Sequence, residues 1–340
     1  MTSQIVTRPK TVVVATPRGG RHGGGRWVPF LLRRIGRMLI AMLVIVTAAF
    51  VVLRAAGGDP VRAALGPTAP ASVVAERRAQ LGLDDPLIVQ FWDYLTGIVL
   101  RGDLGVSLIT GRSVNELVEF RLPATVQLAG IAFIVILLIA IPLGLAIAIL
   151  TVGNRRRPVE LAFTSVTGFF AAVPEYLIGV VLLMVFAITI PLLPVAGMSG
   201  PQSFILPVLA LALGASASLS RIARVEAMNV LGDDYLRTAR SKRLPAAMIY
   251  FRHALPNMLT ATLTLGGALL ATMIAGSVLV ERVFNWPGMG SAFVQAIITK
   301  DYGIVQGLAI VYAAIILVVN LLVDIVLAIL DRRTTILETA

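Results

Sequence analysis

The chain has 340 residues, 57% of them hydrophobic, with a mean hydropathy of +0.89; a soluble domain is closer to half apolar, so much of this one must face lipid. Its 29 Lys and Arg against 18 Asp and Glu give a formal charge of +11, but these residues fall between apolar stretches, which marks a membrane topology and not a nucleic-acid surface. Cys is absent and His22 and His253 lie far apart, which excludes disulfides, thiolate metal sites and iron–sulfur clusters; with no phosphate-loop, nucleophile-elbow, zinc-protease or dinucleotide motif, no catalytic or metal-binding residue is predicted.

Residues 1–33 form a basic tail whose Gly- and Arg-rich run Pro17 to Arg26 cannot bury a core, so disorder is predicted, with arginines suited to anionic lipid. The apolar stretch Ile35 to Leu53 follows that tail and exceeds the roughly 7 to 15 residues of a signal-peptide core, so it reads as an uncleaved first span over 34–54. Five more stretches approach the ~20 residues that cross a bilayer: Val126 to Leu150, Leu161 to Ile190, Phe204 to Leu219, Leu259 to Val280 and Ile304 to Leu330. The fold class is therefore all-α and polytopic with six transmembrane helices, the last five forming a core over 123–330 before a short tail at 331–340. The third span is long enough to tilt, or to bend at Pro174.

Orientation follows from the basic residues. With the N-terminus inside, 20 of the 29 lie on the inner side, in the tail, at Arg155 to Arg157, between Arg221 and Arg252, and at Arg332 and Arg333. Both termini are then cytoplasmic. The tryptophans Trp27, Trp92 and Trp286 all fall outside the spans, at positions suited to headgroups or water, and Glu281 with Arg282 is placed at the outer interface.

Two non-membrane segments are too long to be simple connections. The outer one, 55–122, should be folded: a polar helix follows Pro70 and stops near Gly82, and Asp84-Asp85-Pro86 caps a second helix with Leu87, Phe91, Tyr94, Leu95 and Ile98 on one face. Either a structural lid or a docking surface for an external partner fits this segment. The inner one, 221–256, begins with a helix running straight out of the fourth span. A second helix, through Asp233 to Lys242, has acids at its start and Lys242 and Arg243 at its end, as helix polarity favours. A turn and a short helix led by Pro245 return the chain to the membrane.

Within the spans, Glu175 follows Pro174 at a depth of about 21 Å along a straight helix. Two roles fit it: a pathway carboxylate that meets a cationic group, or a helix-to-helix hydrogen bond. Asp324 and Arg37 are predicted to pair if the first and last spans are neighbours. Small residues at every fourth position, Ala210, Gly214 and Ser218 and then Gly267, Ala271 and Ala275, indicate close helix contact, either around a pathway or within the subunit.

The inner hairpin carries Arg237-Thr238-Ala239-Arg240-Ser241-Lys242 and, after it, Arg252-His253-Ala254-Leu255-Pro256-Asn257. This pair resembles the EAA loop of type I ABC importer permeases. Gly58-Asp59-Pro60-Val61, Leu81-Gly82-Leu83-Asp84, Arg101-Gly102-Asp103-Leu104-Gly105, Leu122-Pro123-Ala124-Thr125, Leu193-Pro194-Val195, Trp286-Pro287-Gly288-Met289-Gly290 and Leu322-Val323-Asp324 follow in the order of the first permease subunit of dipeptide, oligopeptide and nickel importers.

That resemblance implies a non-enzymatic transport subunit in a bacterial inner membrane, forming half of an import pathway beside a second homologous permease. It also implies two ATPase partners that bind ATP and Mg, and an extracytoplasmic substrate-binding protein. The ATPase-coupling residues would be Asp233, Asp234, Tyr235, Arg237, Thr238, Ala239, Arg240 and Lys242. Arg243 stands where the family usually has Gly, which permits a left-handed turn that Arg disfavours. Peptide is the implied cargo; nickel or a metal chelate is the rival within the family, and a stand-alone secondary transporter the rival outside it.

Overall fold

The computed structural model of the chain describes residues 27–55, 60–66, 68–154 and 156–330. The basic tail up to residue 26, Gly58 and Asp59, Arg155, the segment 331–340 with Arg332 and Arg333, and the side chain of Trp27 lie outside them. Among the described residues there is no strand, only an isolated antiparallel bridge between Val106 and Ser113.

Five helices are long and apolar enough to cross a membrane alone, and a sixth crossing is made by a bent pair. In chain order, α1 (Trp27–Ala55) is followed by three outlying helices, α2 (Pro60–Leu65), α3 (Ala71–Gln80) and α4 (Leu87–Arg101). The core contains α5 (Val114–Thr151), α6 (Arg157–Ala172), α7 (Glu175–Leu183) and α8 (Ile205–Gly232). The short α9 (Asp234–Ser241) leads to α10 (Leu255–Val283), α11 (Met289–Thr299) and α12 (Tyr302–Leu330).

The second span starts earlier than hydropathy predicts. Ser113 is the N-cap of α5, its hydroxyl accepting the Asn115 amide at 3.2 Å, and a polar first stretch with Glu116, Glu119 and Arg121 carries the helix past the lipid. Pro142 lies within α5, which stays a single helix. At Gly144 any side chain would come within 2.6 Å of Ala223 and 2.8 Å of the Ser220 carbonyl, so α5 and α8 touch almost backbone to backbone.

The third predicted span is not straight. It breaks at Val173 and Pro174, where both residues have extended ψ, and α6 and α7 meet at 94°. Pro174 has no N–H for the carbonyl of Phe170 and its ring excludes a helical neighbour before it; that carbonyl instead faces Gly214 of α8. The bent pair still makes one crossing. Glu160 pairs with Arg224, Phe170 faces Gly214 and Gly179 faces Ala210, so the pair follows α8 over 14 residues, about 21 Å of helix.

These contacts sort the chain into two ends. At one, Leu145 and Ala148 of α5, Ala223 and Ala227 of α8, Leu236 of α9 and Ile249, Ala254 and Met258 form one apolar cluster. At the other, Arg121 reaches Gly288 and Ser291, Gly197 donates to the Phe284 carbonyl, and the Ser107 hydroxyl donates to Asp301 at 2.5 Å. The stretches around Ser107 to Arg121, Gly197 and Phe284 to Asp301, all predicted to be outer, share this second end. Between the ends, α8 carries the deepest core, with Leu206, Ala210, Ala212 and Leu219 packed on Leu128, Ile136 and Ala140.

Candidate functional site

The hairpin at the first end is a helix mounted on two side chains. Leu236 and Ala239 of α9 are buried in the apolar cluster, while Asp233, Asp234, Tyr235, Arg237, Thr238, Arg240, Ser241 and Lys242 remain exposed. Asp233 occupies the N-cap position but makes no capping hydrogen bond; Asp234 instead meets Arg237 one turn on, at 3.3 Å, with both side chains largely in solvent. Arg240 turns back, its guanidinium donating to the Leu231 carbonyl at 3.0 Å and closing the C-terminus of α8. The phenol of Tyr235 accepts from the Asn257 amide at 2.8 Å. Its partial burial raises its pKa above the usual phenol value, the Asn257 bond opposing and Asp233 adding to the rise.

The turn after α9 is left-handed at Arg243, with φ of 54°. Lys242 donates to Thr238 and Arg243 to Arg240, so the helix winds up normally before the reversal. The hairpin thus adopts the geometry that Gly would favour, with an Arg in it. The returning segment is a wide helical turn over Met248–Ala254 that runs directly into α10.

Glu175 lies at the first residue of α7, where the helix N-terminus favours an acid. Because of the bend its position is not that of a straight span: its carboxylate reaches α10 and lies against Gly276, in space that any side chain there would occupy. It is half-buried and makes no hydrogen bond or ion pair among the described residues. From this point an exposed stripe runs along α10, with Ala275, Thr272, Ala268 and Thr264 lying between the exposed leucines Leu279 and Leu265. The Thr hydroxyls satisfy their protons on Leu269 and Thr260 of the same helix.

The small-residue repeats serve packing within the chain at the positions that can be assigned. Gly214 meets Phe170 and Gly267 meets Val323 of α12. Ala275 is instead exposed.

Two residues predicted at the outer interface are core residues. Glu281 is fully buried, and its Oε2 accepts the amides of Gly290 at 2.7 Å and Ser291 at 3.3 Å in the first turn of α11. Trp286 is also fully buried, stacked edge-on against Phe204 at 4.6 Å and donating its indole N–H to the Ala124 carbonyl at 3.0 Å. A short helix folded back under the sixth span needs both: one satisfies its free N–H groups, the other fills the space beneath it. Asp301, buried and holding Ser107 and the Leu108 amide, ties the outlying segment to the α11–α12 corner. Nothing in its sequence spacing marked it.

The first and last spans are neighbours, but the ion pair joins Asp324 to Arg34 at 2.6 Å, not to Arg37. Arg37, one turn further, lines a cavity beside that ion pair. In α4, Phe91 and Tyr94 pack on Phe50 of α1, while Trp92 and Leu87 stay exposed. Burial raises the pKa of the Tyr94 phenol, with the nearby Gln306 side chain opposing the rise. The helix follows Pro86 at the N-cap, one position earlier in the helix than predicted.

Comparison with known proteins agrees with this architecture. Residues 140–336 match the family described as binding-protein-dependent transport system inner membrane component, and residues 27–129 match its N-terminal companion. The glutathione transport system permease protein GsiC of Salmonella typhimurium (strain LT2) is 34% identical over 300 residues, 88% of this chain and 96% of that protein. Its namesake in Escherichia coli (strain K12) is 32% identical over 301 residues, with the same coverage of 88% and 96%. Among solved structures, the inward-facing methionine ABC transporter MetNI aligns over 63% of this chain and 96% of its own with a TM-score of 0.56 at 13% identity, a likeness of fold. The chain belongs to the family of binding-protein-dependent transport system inner membrane components, as a type I ABC importer permease of the peptide, oligopeptide and nickel branch.

Proposed function

We propose that the chain is one half of a peptide-import pathway, paired with a second homologous permease, and that the α10 stripe with Glu175 lines its share of that pathway. The observation that carries this reading is the stripe itself: Thr264, Ala268, Thr272 and Ala275 lie exposed on a helix buried on its other side, and Glu175 stands beside them. A carboxylate at that place suits the amino terminus of a short peptide. The names of the GsiC relatives support a small peptide-like cargo.

The exposed face of α9 then docks in a groove of an ATPase partner. Two such partners bind the ATP and Mg, and this chain hydrolyses nothing. Basic residues around the hairpin support a cytoplasmic location for that end, with both termini on the same side. The opposite end, with α3 and α4, receives a substrate-loaded binding protein, which makes most of the selection. The test is co-purification and reconstitution. Two ATPase chains and a second permease should accompany this one, and liposomes holding all four should take up peptide only with ATP and the binding protein. Uptake by this chain alone would overturn the reading.

A further inference from the structure

Between α1 and α12, at the end where Arg34 and Asp324 pair, the structure holds a cavity of about 360 Å3 lined by Arg34, Arg37, Met38, Ala41, Leu317, Asn320, Leu321 and Asp324. Its lining is sorted along the helix axes. Arg34, Arg37, Asn320 and Asp324 lie toward the end of the two spans; Ala41 and Leu317 lie toward the membrane centre, about two turns, ~10 Å, from Arg34 and Asp324 and about one turn from Arg37 and Asn320. The helices on either side turn apolar residues outward, Leu39, Ile40 and Val44 on α1 and Val318 and Leu322 on α12, so the lipid phase surrounds this cavity.

The charges do not cancel. Asp324 is taken up by Arg34, and Arg37 makes no hydrogen bond or ion pair among the described residues. One guanidinium is left, lining the cavity together with Asn320, each ten residues from the end of its helix at Trp27 and at Leu330. We infer that this cavity is a binding site for an anionic glycerophospholipid, its phosphate held by Arg37 and Asn320 and an acyl chain lying along Met38, Ala41, Leu317 and Leu321. A guanidinium takes a phosphate through two parallel N–H bonds. A basic pocket between spans is a setting in which the headgroups of such lipids are held. A zwitterionic lipid would bring its ammonium group near the unpaired Arg37. The inference rests on the spans alone and stands apart from the proposed cargo and orientation.

The test uses the full-length protein with whatever subunits accompany it from the membrane, in neutral detergent. Phosphatidylglycerol, phosphatidylcholine and inorganic phosphate are added separately, with retention read by native mass spectrometry and unfolding by thermal shift. Phosphatidylglycerol should be retained about fivefold better than phosphatidylcholine, as expected for one basic group at a membrane surface. Arg37→Gln should erase that preference, Arg37→Lys should keep most of it, and Arg282→Gln at the opposite end should leave it unchanged. Equal retention of the two lipids, or an unaltered preference in Arg37→Gln, would overturn the site. Inorganic phosphate that displaces the lipid and stabilises the protein equally would assign the cavity to a free anion and overturn the lipid.

Discussion

The amide of Gly290 donates to the carboxylate of Glu281 at 2.7 Å, and no part of Glu281 is exposed. One side chain at the end of α10 thereby terminates α11, whose first N–H groups have no partner within their own helix. Gly288 and Gly290 permit this approach, since a side chain at either would collide with the carboxylate. Glu281→Ala leaves two buried donors unmet and should lower stability by about 2 kcal/mol. Glu281→Gln keeps an acceptor and should lose roughly half as much. Denaturation of the purified protein, monitored through the buried Trp286, measures both.

Glu175 and Gly276 share one space, so their substitutions should not be additive. Gly276→Ala places a methyl group where the Glu175 carboxylate lies and pushes that group outward. In a Glu175→Ala background the methyl fills emptied space and should be tolerated. A four-corner cycle on uptake should therefore show Gly276→Ala severalfold more harmful in the parent than beside Glu175→Ala. Equal penalties would separate the two residues. Glu175→Gln, in the same assay, should reduce uptake of cationic peptides more than that of neutral ones.

Arg243 has φ of 54°, a region that costs a side chain with a Cβ about 1 kcal/mol relative to Gly. Arg243→Gly should leave the hairpin fold unchanged and raise its resistance to proteolysis. Arg243→Val, β-branched, should lower it. Stimulated ATP hydrolysis in the assembled transporter should survive the first change and fall with the second.

The spans were legible because apolar length and the placement of Lys and Arg are properties of the chain itself, and the hairpin because its motifs are contiguous. What escaped was set by distant partners. Glu281 and Trp286 read as interfacial because they follow a span, but α11 folds back over them, and that return is fixed by Ala124 and Thr125, over 150 residues earlier. Asp301 is silent in sequence because its partners, Ser107 and Leu108, come from the outlying segment. The choice of Arg34 over Arg37 for Asp324 depends on how α1 is rotated against α12, and one helical turn is below what spacing can resolve.

The two arginines of α9 face opposite tasks. Arg237 points into solvent with only Asp234 at 3.3 Å, an exposed pair of little energetic consequence. Arg240 closes α8 through the Leu231 carbonyl, a bond that Glu cannot make. Arg237→Glu should thus leave the stability of the isolated chain within about 0.5 kcal/mol of the parent. It should abolish stimulation of ATP hydrolysis by loaded binding protein, because the sign of the docking face is reversed at its centre. Arg240→Ala should do the reverse in part: the hairpin loosens, by about 1 kcal/mol for the lost bond, and stimulation falls in proportion to the fraction of transporter that remains assembled. Assaying ATP hydrolysis and assembly on the same preparations separates the two, since only a docking residue loses stimulation at full assembly. If Arg237→Glu keeps full stimulation, α9 does not couple through this face.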